Sequence, residues 1–437
     1  MNSICDANII SSMDYAQELI DRHGPRPSGT KACLDSAKDI CGKLAVHCDS
    51  TKNESFWQHP DAFLSFFAVT YPVGILFMHW GNAWIFSALA LLCAGTFLFM
   101  IQFMAYGTCF DFLFRKQLGC NVVGVLEPGN GNEVEKQIII SGHHDSAWIF
   151  NFLQVNSKIY LLFTISGIIV YVAALLFSCY AAASRLIPDL GINESLRSAC
   201  IFVFTCLIAV VIPCYFFKGR KASPGAGDDL IASSMLVELA EAFSREKTNG
   251  TPLEKTRLWF VSFDGEEAGL RGSKAFVSRH KKDLTSIPTY NFNMDSIYSI
   301  RDLTLLTSDL NGFVRTSTAM AAEAKIIAEK LGYNLKLSPM PLGGGATDAA
   351  EFALGGCEAV CLIAMQTSLK NSVAYHTSRD IVSNIDPECF GAVMKIVYHY
   401  VKMKDSERDN DNRTRQPVAR ATLTTAWREE RFSKLKG

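Results

Sequence analysis

The sequence predicts an α/β protein: a mixed central sheet flanked by helices on both faces, with four transmembrane helices inserted into it as two hairpins. Three observations carry this. Of the 437 residues 49% are hydrophobic and only 19% charged, where a soluble domain carries roughly 25%, and mean hydropathy is +0.14. The excess apolarity collects in four stretches, Ala62–Trp80, Ala83–Phe110, Ile159–Ser184 and Ser198–Phe217, none containing Asp, Glu, Lys or Arg. Outside them, short β-rich runs alternate with amphipathic segments.

Each apolar stretch is about 20 residues or longer, enough to cross a roughly 30 Å hydrocarbon layer. A tight turn around His79–Asn82 joins the first pair, and Arg185 to Arg197 joins the second. Both hairpins therefore return the chain to one side, where Lys52, Arg115, Lys116, Lys158, Lys218, Arg220 and Lys221 flank the spans. The opposite side offers Arg185 and Arg197. The positive-inside rule then places the soluble part of a multi-pass membrane protein in the cytosol. Spans without Asp, Glu, Lys or Arg are poor material for a transporter.

The remaining chain divides into a discontinuous domain of residues 1–61, 111–158 and 218–404, hairpins at 62–110 and 159–217, and a polar tail at 405–437 expected to be disordered. Strands are expected at Asn121–Leu126, Gln137–Ser141, Leu258–Phe263, Tyr290–Asn293, Leu303–Leu306 and Val360–Ile363. Helices are expected at Leu230–Ser244, Ser273–His280, Thr316–Leu331 and Pro387–Lys402. Several strands are apolar on both faces, as a sheet covered on both sides requires. Lys and Arg number 42 against 43 acidic residues, with no basic segment to bind nucleic acid. The 14 cysteines show no paired C-x2-C spacing and fit a reducing compartment. Cys357 and Cys361 are spaced for either a bridge or core packing, with core favoured. The N-terminal segment is acidic and lacks a secretory pattern.

Candidate chemistry sits just after strands. IIISGHHDS delivers His143, His144 and Asp145; RLWFVSFDGEEAGL delivers Asp264, Glu266 and Glu267; YNFNMDSI delivers Asp295. Ligands of open α/β sheets bind beyond the carboxyl ends of the strands. SPGAGDDL adds Asp228 and Asp229 on a Gly-rich loop, and AYHTSRD adds His376. Nitrogen and carboxylate donors without thiolate suit a catalytic zinc or a similar borderline ion. Their number exceeds the need of one ion and suggests two sharing a carboxylate. Singly, each has a plainer reading: Asp as a turn or cap residue, paired Glu as partners of a helix dipole, His as a surface residue. The joint pattern carries the proposal.

These segments resemble the clan MH zinc exopeptidases, the family of secreted bacterial leucine aminopeptidases, glutamate carboxypeptidase and glutaminyl cyclase. The matching stretches run in family order: GPRPSGTKA, NVVGVL, IIISGHHDS, PGAGDD, FVSFDGEEAGLRGSKAF, FNMDS, GGGATDAAEF and YHTSRDIVSNID. They cover essentially the whole soluble part, and the two hairpins are insertions relative to the usual domain. The resemblance implies two Zn2+ per chain, with Co2+ or Mn2+ as alternatives. Asp228 would bridge them, with Glu267 and His376 completing one site and His143 and Asp295 the other. Glu266 would be the general base and Asp145 would orient His143. His144 stays outside the ligand set. Tyr375, Gly344 and Gly345 could shape the substrate pocket, with loop filler and core packing as equally good readings. Ala349 stands where the family often has His.

The expected function is that of a membrane-bound dinuclear-zinc aminopeptidase. Its partners would be a peptide substrate and the lipid bilayer, with no nucleic acid. Short links from Asp145 to Ile159 and from Phe217 to Asp228 would keep the crevice near the bilayer surface. A glutaminyl cyclase-like enzyme and a non-catalytic membrane receptor or scaffold are the alternatives. The retained ligand set disfavours both.

Overall fold

A computed structural model of the chain describes residues 4, 6–63, 67–131, 133–365 and 374–407. Its strands in chain order are β1 (Ser50–Gln58), β2 (Gln117–Leu126), β3 (Lys136–His143), β4 (Trp148–Phe150), β5 (Lys218–Ala222), β6 (Thr256–Phe263), β7 (Thr289–Ile297), β8 (Thr304–Asp309), β9 (Val314–Arg315), β10 (Lys336–Pro339) and β11 (Glu358–Ala364). The main sheet runs β1-β2-β6-β3-β7-β11-β8-β10, with β9 added to β8, while β4 and β5 pair separately.

Within the main sheet β6, β3, β7 and β11 are mutually parallel, and β2 and β8 run antiparallel to β6 and β11. Every residue of β3 is buried, as expected for a strand with a parallel neighbour on each side and helices on both faces. Side-chain alternation divides it between two cores. Ile138 and Ile140 join Phe260, Phe292 and helices Ile231–Thr248 and Pro387–Ser406 on one face. Ile139 joins Val261, Phe263 and helices Arg271–Arg279 and Ala349–Gly355 on the other. Each fully buried Phe or Ile contributes about 1.5–3 kcal/mol. The six expected strands and four expected helices are all present, most of them extended at one or both ends, while the helix expected at Thr316–Leu331 is shorter at both ends, Thr318–Lys330. Helices Asp6–His23 and Lys31–Leu44 and the edge strand β1 add to them.

The apolar segments pack into a third cluster of their own, separate from the two sheet cores. Three helices are long and apolar enough to cross a membrane: Ile85–Met104, Ser157–Leu186 and Glu194–Cys214. Only 11% of the most apolar window is buried in the latter two, so most of their apolar surface faces outward. The expected first span, Ala62–Trp80, is instead a helix of 13 residues, Phe67–His79, too short among the described residues for a crossing; residues 64–66 lie outside them. Close packing explains the small residues in this bundle. A Cβ on Gly95 would lie 2.1 Å from Thr70 Oγ1 and 2.2 Å from the Tyr171 hydroxyl.

Two expected boundaries are corrected. The second apolar helix ends at Met104, not Phe110. Beyond it Tyr106 and Gly107 are buried, Tyr106 in a sheet core with Phe263 and Phe352. The boundary expected at Asp405 falls inside the last helix, which runs to Ser406, and the Asp405 carboxylate accepts from the backbone N–H groups of Glu254 and Lys255. Residues 408–437 lie outside the described residues. All cysteines among the described residues are free, Cys357 and Cys361 being buried in the core.

Candidate metal centre

The parallel register sets the site. His143 pairs with Phe263, so the DGEE turn begins one residue beyond it on the neighbouring strand. On the other side β7 continues to Asp295, which pairs with Ile363 of β11. Three strand ends thus deliver their polar residues to one crevice. Adjacent residues of a strand point to opposite faces, which separates the two histidines. His143 faces the crevice. The His144 Nδ1 lies 2.8 Å from the Ser262 hydroxyl, and burial pulls that imidazole down to about 3, keeping it neutral.

Asp228 arrives from a loop braced on several sides. Gly225 takes φ +62, and a Cβ there would meet Ser146 at 2.5 Å. Arg26, completely buried, donates to the carbonyls of Gly24, His144 and Gly225. Asp380 accepts from the backbone N–H of Gly227 at 2.7 Å, so the segment carrying His376 clasps the segment carrying Asp228. Phe150, at the root of the second hairpin, donates its N–H to the His376 carbonyl and packs its ring edge-on against the imidazole at 4.4 Å.

Apart from the grouping of Cys33, His144 and Asp264, two groupings in the crevice share a residue. His143, Asp228 and Asp295 each offer a ligand atom, all within 4.8 Å of one another, and Asp228, Glu267 and His376 do the same. Asp228 belongs to both: its Oδ1 lies 3.3 Å from His143 Nε2 and its Oδ2 3.0 Å from His376 Nε2. His376 Nε2 is also 3.2 Å from Glu267 Oε1. Yet His143 Nε2, Asp228 Oδ2 and Glu267 Oε1 are buried without a hydrogen-bond partner. Orphaned atoms of this kind cost about 1–3 kcal/mol each when nothing compensates them. Converging buried N and O donors, left unsatisfied by the protein, fit divalent cations well.

Asp145 organises what surrounds them. Its Oδ1 and Oδ2 accept from the backbone N–H groups of Glu266 and Glu267 at 3.3 and 3.2 Å. Its Oδ1 and its carbonyl oxygen lie 3.4 and 3.1 Å from His143 Nδ1. One carboxylate therefore positions an imidazole and the paired glutamates together. Glu266 Oε2 stands 3.9 Å from His143 Nε2 and outside both groupings. Tyr375 stacks on His376 with ring centroids 3.8 Å apart. Gly345 is held by Asn311, while the nearest atoms around exposed Gly344 belong to Pro341 and Met340 of its own loop. Sequence reasoning assigned no role to Arg26, Asp229 or Asp348. Asp229 accepts from the His143 N–H at 3.1 Å, and Asp348 is fully buried with its charge felt at Glu266. The Arg of GPRPSGT, between two prolines, was the available signal for the first of these.

Charge crowding gives a test. Burial, with Asp228 nearby, pushes Glu267 up to about 7, and burial lifts Asp295 to about 6. Burial alone would lower His376, but Glu267 and Asp228 raise it to about 10. All three bind protons more tightly folded than unfolded. The carboxyl contribution to stability is therefore complete below about pH 4 and lost as pH rises toward 6–7; that of His376 is lost between about 6.5 and 10. Metal-free protein should melt several degrees lower at pH 8 than at pH 5, and added Zn2+ should remove most of the difference. A melting temperature that is flat or rises with pH in chelator would contradict this.

Residues 213–401 match peptidase family M28. Aminopeptidase YwaD of Bacillus subtilis is 26% identical over 170 residues, covering 38% of this chain and 34% of that protein. A probable leucine aminopeptidase of Trichophyton verrucosum is 27% identical over 181 residues, covering 39% and 43%. The matched region thus spans less than half the length of these relatives. A Zn-dependent exopeptidase from Parabacteroides distasonis superposes with TM-score 0.53 at 12% identity, over 90% of this chain and 97% of that one. The zinc aminopeptidase BSAP of Bacillus subtilis gives 0.53 at 16%, over 92% and 96%. A glutaminyl cyclase of Fimbriiglobus ruber gives 0.52 at 13%, over 90% and 94%.

Proposed function

On the premise of a zinc-exopeptidase fold whose residues 213–401 match family M28, we propose that the chain is a membrane-bound dinuclear-zinc aminopeptidase. The observation that carries this is the pair of three-residue groupings sharing Asp228, beside a glutamate that belongs to neither. His143 and Asp295 would hold one ion, Glu267 and His376 the other, and Asp228 would bridge them. Zinc bound there would polarise the scissile carbonyl and lower the pKa of the attacking water. Glu266 takes the proton of that water and returns it to the departing amine. Asp145 keeps the Glu266 backbone and the His143 ring in register throughout. Tyr375, stacked on His376, would border the bound peptide, with Gly345 on the loop opposite.

The three long apolar helices support attachment to a bilayer. A multi-pass arrangement with residues 1–61, 111–158 and 218–404 as a cytosolic peptidase domain follows from the basic flanks of the spans. The working substrates would be peptides at or near the membrane surface.

Elemental analysis together with an aminoacyl-amide panel tests the enzyme reading. About two zinc per chain with release of N-terminal residues is the expected result. One zinc per chain with cyclisation of N-terminal glutamine would point to the cyclase chemistry that one of the solved neighbours is named for. No metal and no turnover would leave a scaffold.

A further inference from the structure

Both ends of the first hairpin close on the loop carrying Glu266 and Glu267. Before its first helix, Phe63 covers Gly269, where a Cβ would lie 2.8 Å from the ring. Beyond its second helix, Tyr106 takes φ +51, a conformation that bulky L residues rarely adopt and that often marks a functional position. Its carbonyl accepts from Lys274 Nζ at 2.7 Å and Arg271 Nη1 at 3.3 Å. Arg271 also reaches the Gly107 carbonyl and, at 3.1 Å, the Asp111 carboxylate. Asn311 Nδ2 donates to the Met104 carbonyl, while Asn311 Oδ1 accepts from the Gly345 N–H. The exit of a membrane hairpin is thereby tied to the catalytic loop on one side and to the Gly-rich loop on the other.

The Tyr106 side chain lies between those two loops. It is 5% exposed, its ring centroid is 4.6 Å from that of Phe63, and a Cβ on Gly345 would come 3.5 Å from its hydroxyl. The charges of Glu266 and Glu267 act on this buried phenol. A scissile carbonyl must sit within reach of Glu266, and the side chain of the residue being removed branches one carbon away. A bulky, mostly apolar ring set between the loop that carries Glu266 and the Gly-rich loop is a wall that this side chain meets.

We propose that Tyr106 is a specificity-determining residue: its ring limits the size of the N-terminal side chain accepted beside Glu266, so the inserted hairpin supplies part of the substrate pocket. This rests on the aminopeptidase reading above. Tyr106→Ala and Tyr106→Trp both keep a Cβ, so neither changes the backbone demand at this position. In full-length protein in lipid vesicles, kcat/KM is measured for Ala, Leu and Phe amides alongside zinc content. Tyr106→Ala should raise the Phe-to-Ala ratio of kcat/KM about tenfold or more, and Tyr106→Trp should lower it comparably. The ratio is internal to each variant, so a partial loss of folded protein leaves it unaffected. Variants that scale all three substrates by one factor would overturn the assignment of Tyr106 alone. A wild type that cleaves none of them would overturn the aminopeptidase reading as well.

Discussion

Glu266→Gln is expected to lower kcat on aminoacyl amides by about a thousandfold while zinc content stays unchanged. The magnitude lies in the range for removal of a general base, about 10^2–10^4. Glutamine fills the same space and can still accept a hydrogen bond, but it cannot carry the proton from water to amine. Metal should persist because Glu266 lies outside both groupings of ligand atoms, and because its backbone N–H, not its side chain, is what Asp145 holds. Burial is the main reason its carboxyl stands well above the ordinary range, Asp295 and Glu267 adding to the effect and His143 opposing it. A carboxylate so placed accepts a proton more readily near neutral pH. The decisive readout is the pairing of single-turnover kinetics with elemental analysis of the same sample. Near wild-type turnover in the glutamine variant would remove Glu266 from the mechanism.

Asp228→Ala should have the other large effect, of a different kind. Its two oxygens face His143 and His376 at 3.3 and 3.0 Å, so removing it takes a donor from both groupings at once. Zinc is expected to fall from about two per chain to below one, with activity lost along with it. His376→Ala, which touches one grouping, should leave about one ion. Isothermal titration of metal into the stripped proteins distinguishes the cases: one tight site surviving in Asp228→Ala would mean that the carboxylate is not shared. Loss of both ions should also lower the melting temperature, because ligand binding stabilises the folded state by mass action.

Much of this site was legible beforehand, for a reason specific to parallel sheets. A largely apolar buried strand that runs into His143, Asp264 or Asp295 near its carboxyl end announces both its burial and the end at which its polar residues emerge. Because β6, β3 and β7 are parallel neighbours, those ends had to meet. Asp228 and His376 lie on loops, and their convergence depends on contacts between segments far apart in sequence, such as the Gly227–Asp380 hydrogen bond. Spacing alone does not reveal such contacts. β1 escaped because STKNESFWQ is largely polar. It occupies the sheet edge, paired with β2 alone among the described residues, where solvent covers much of it.

The sequence by itself determined that the chain has a covered α/β sheet, acid-rich strand ends and long uncharged apolar helices, because burial and hydropathy act on each segment locally. Only the tertiary structure decided where the helix of the second apolar stretch ends. Residues 105–110 carry no charge, like the helix before them, yet Tyr106 packs into one of the sheet cores and Lys274 and Arg271 hold its carbonyl. Lipid and a protein core are equally dry, so composition cannot tell them apart. What separates them is which polar groups lie close enough to satisfy the backbone, and that depends on the fold as a whole.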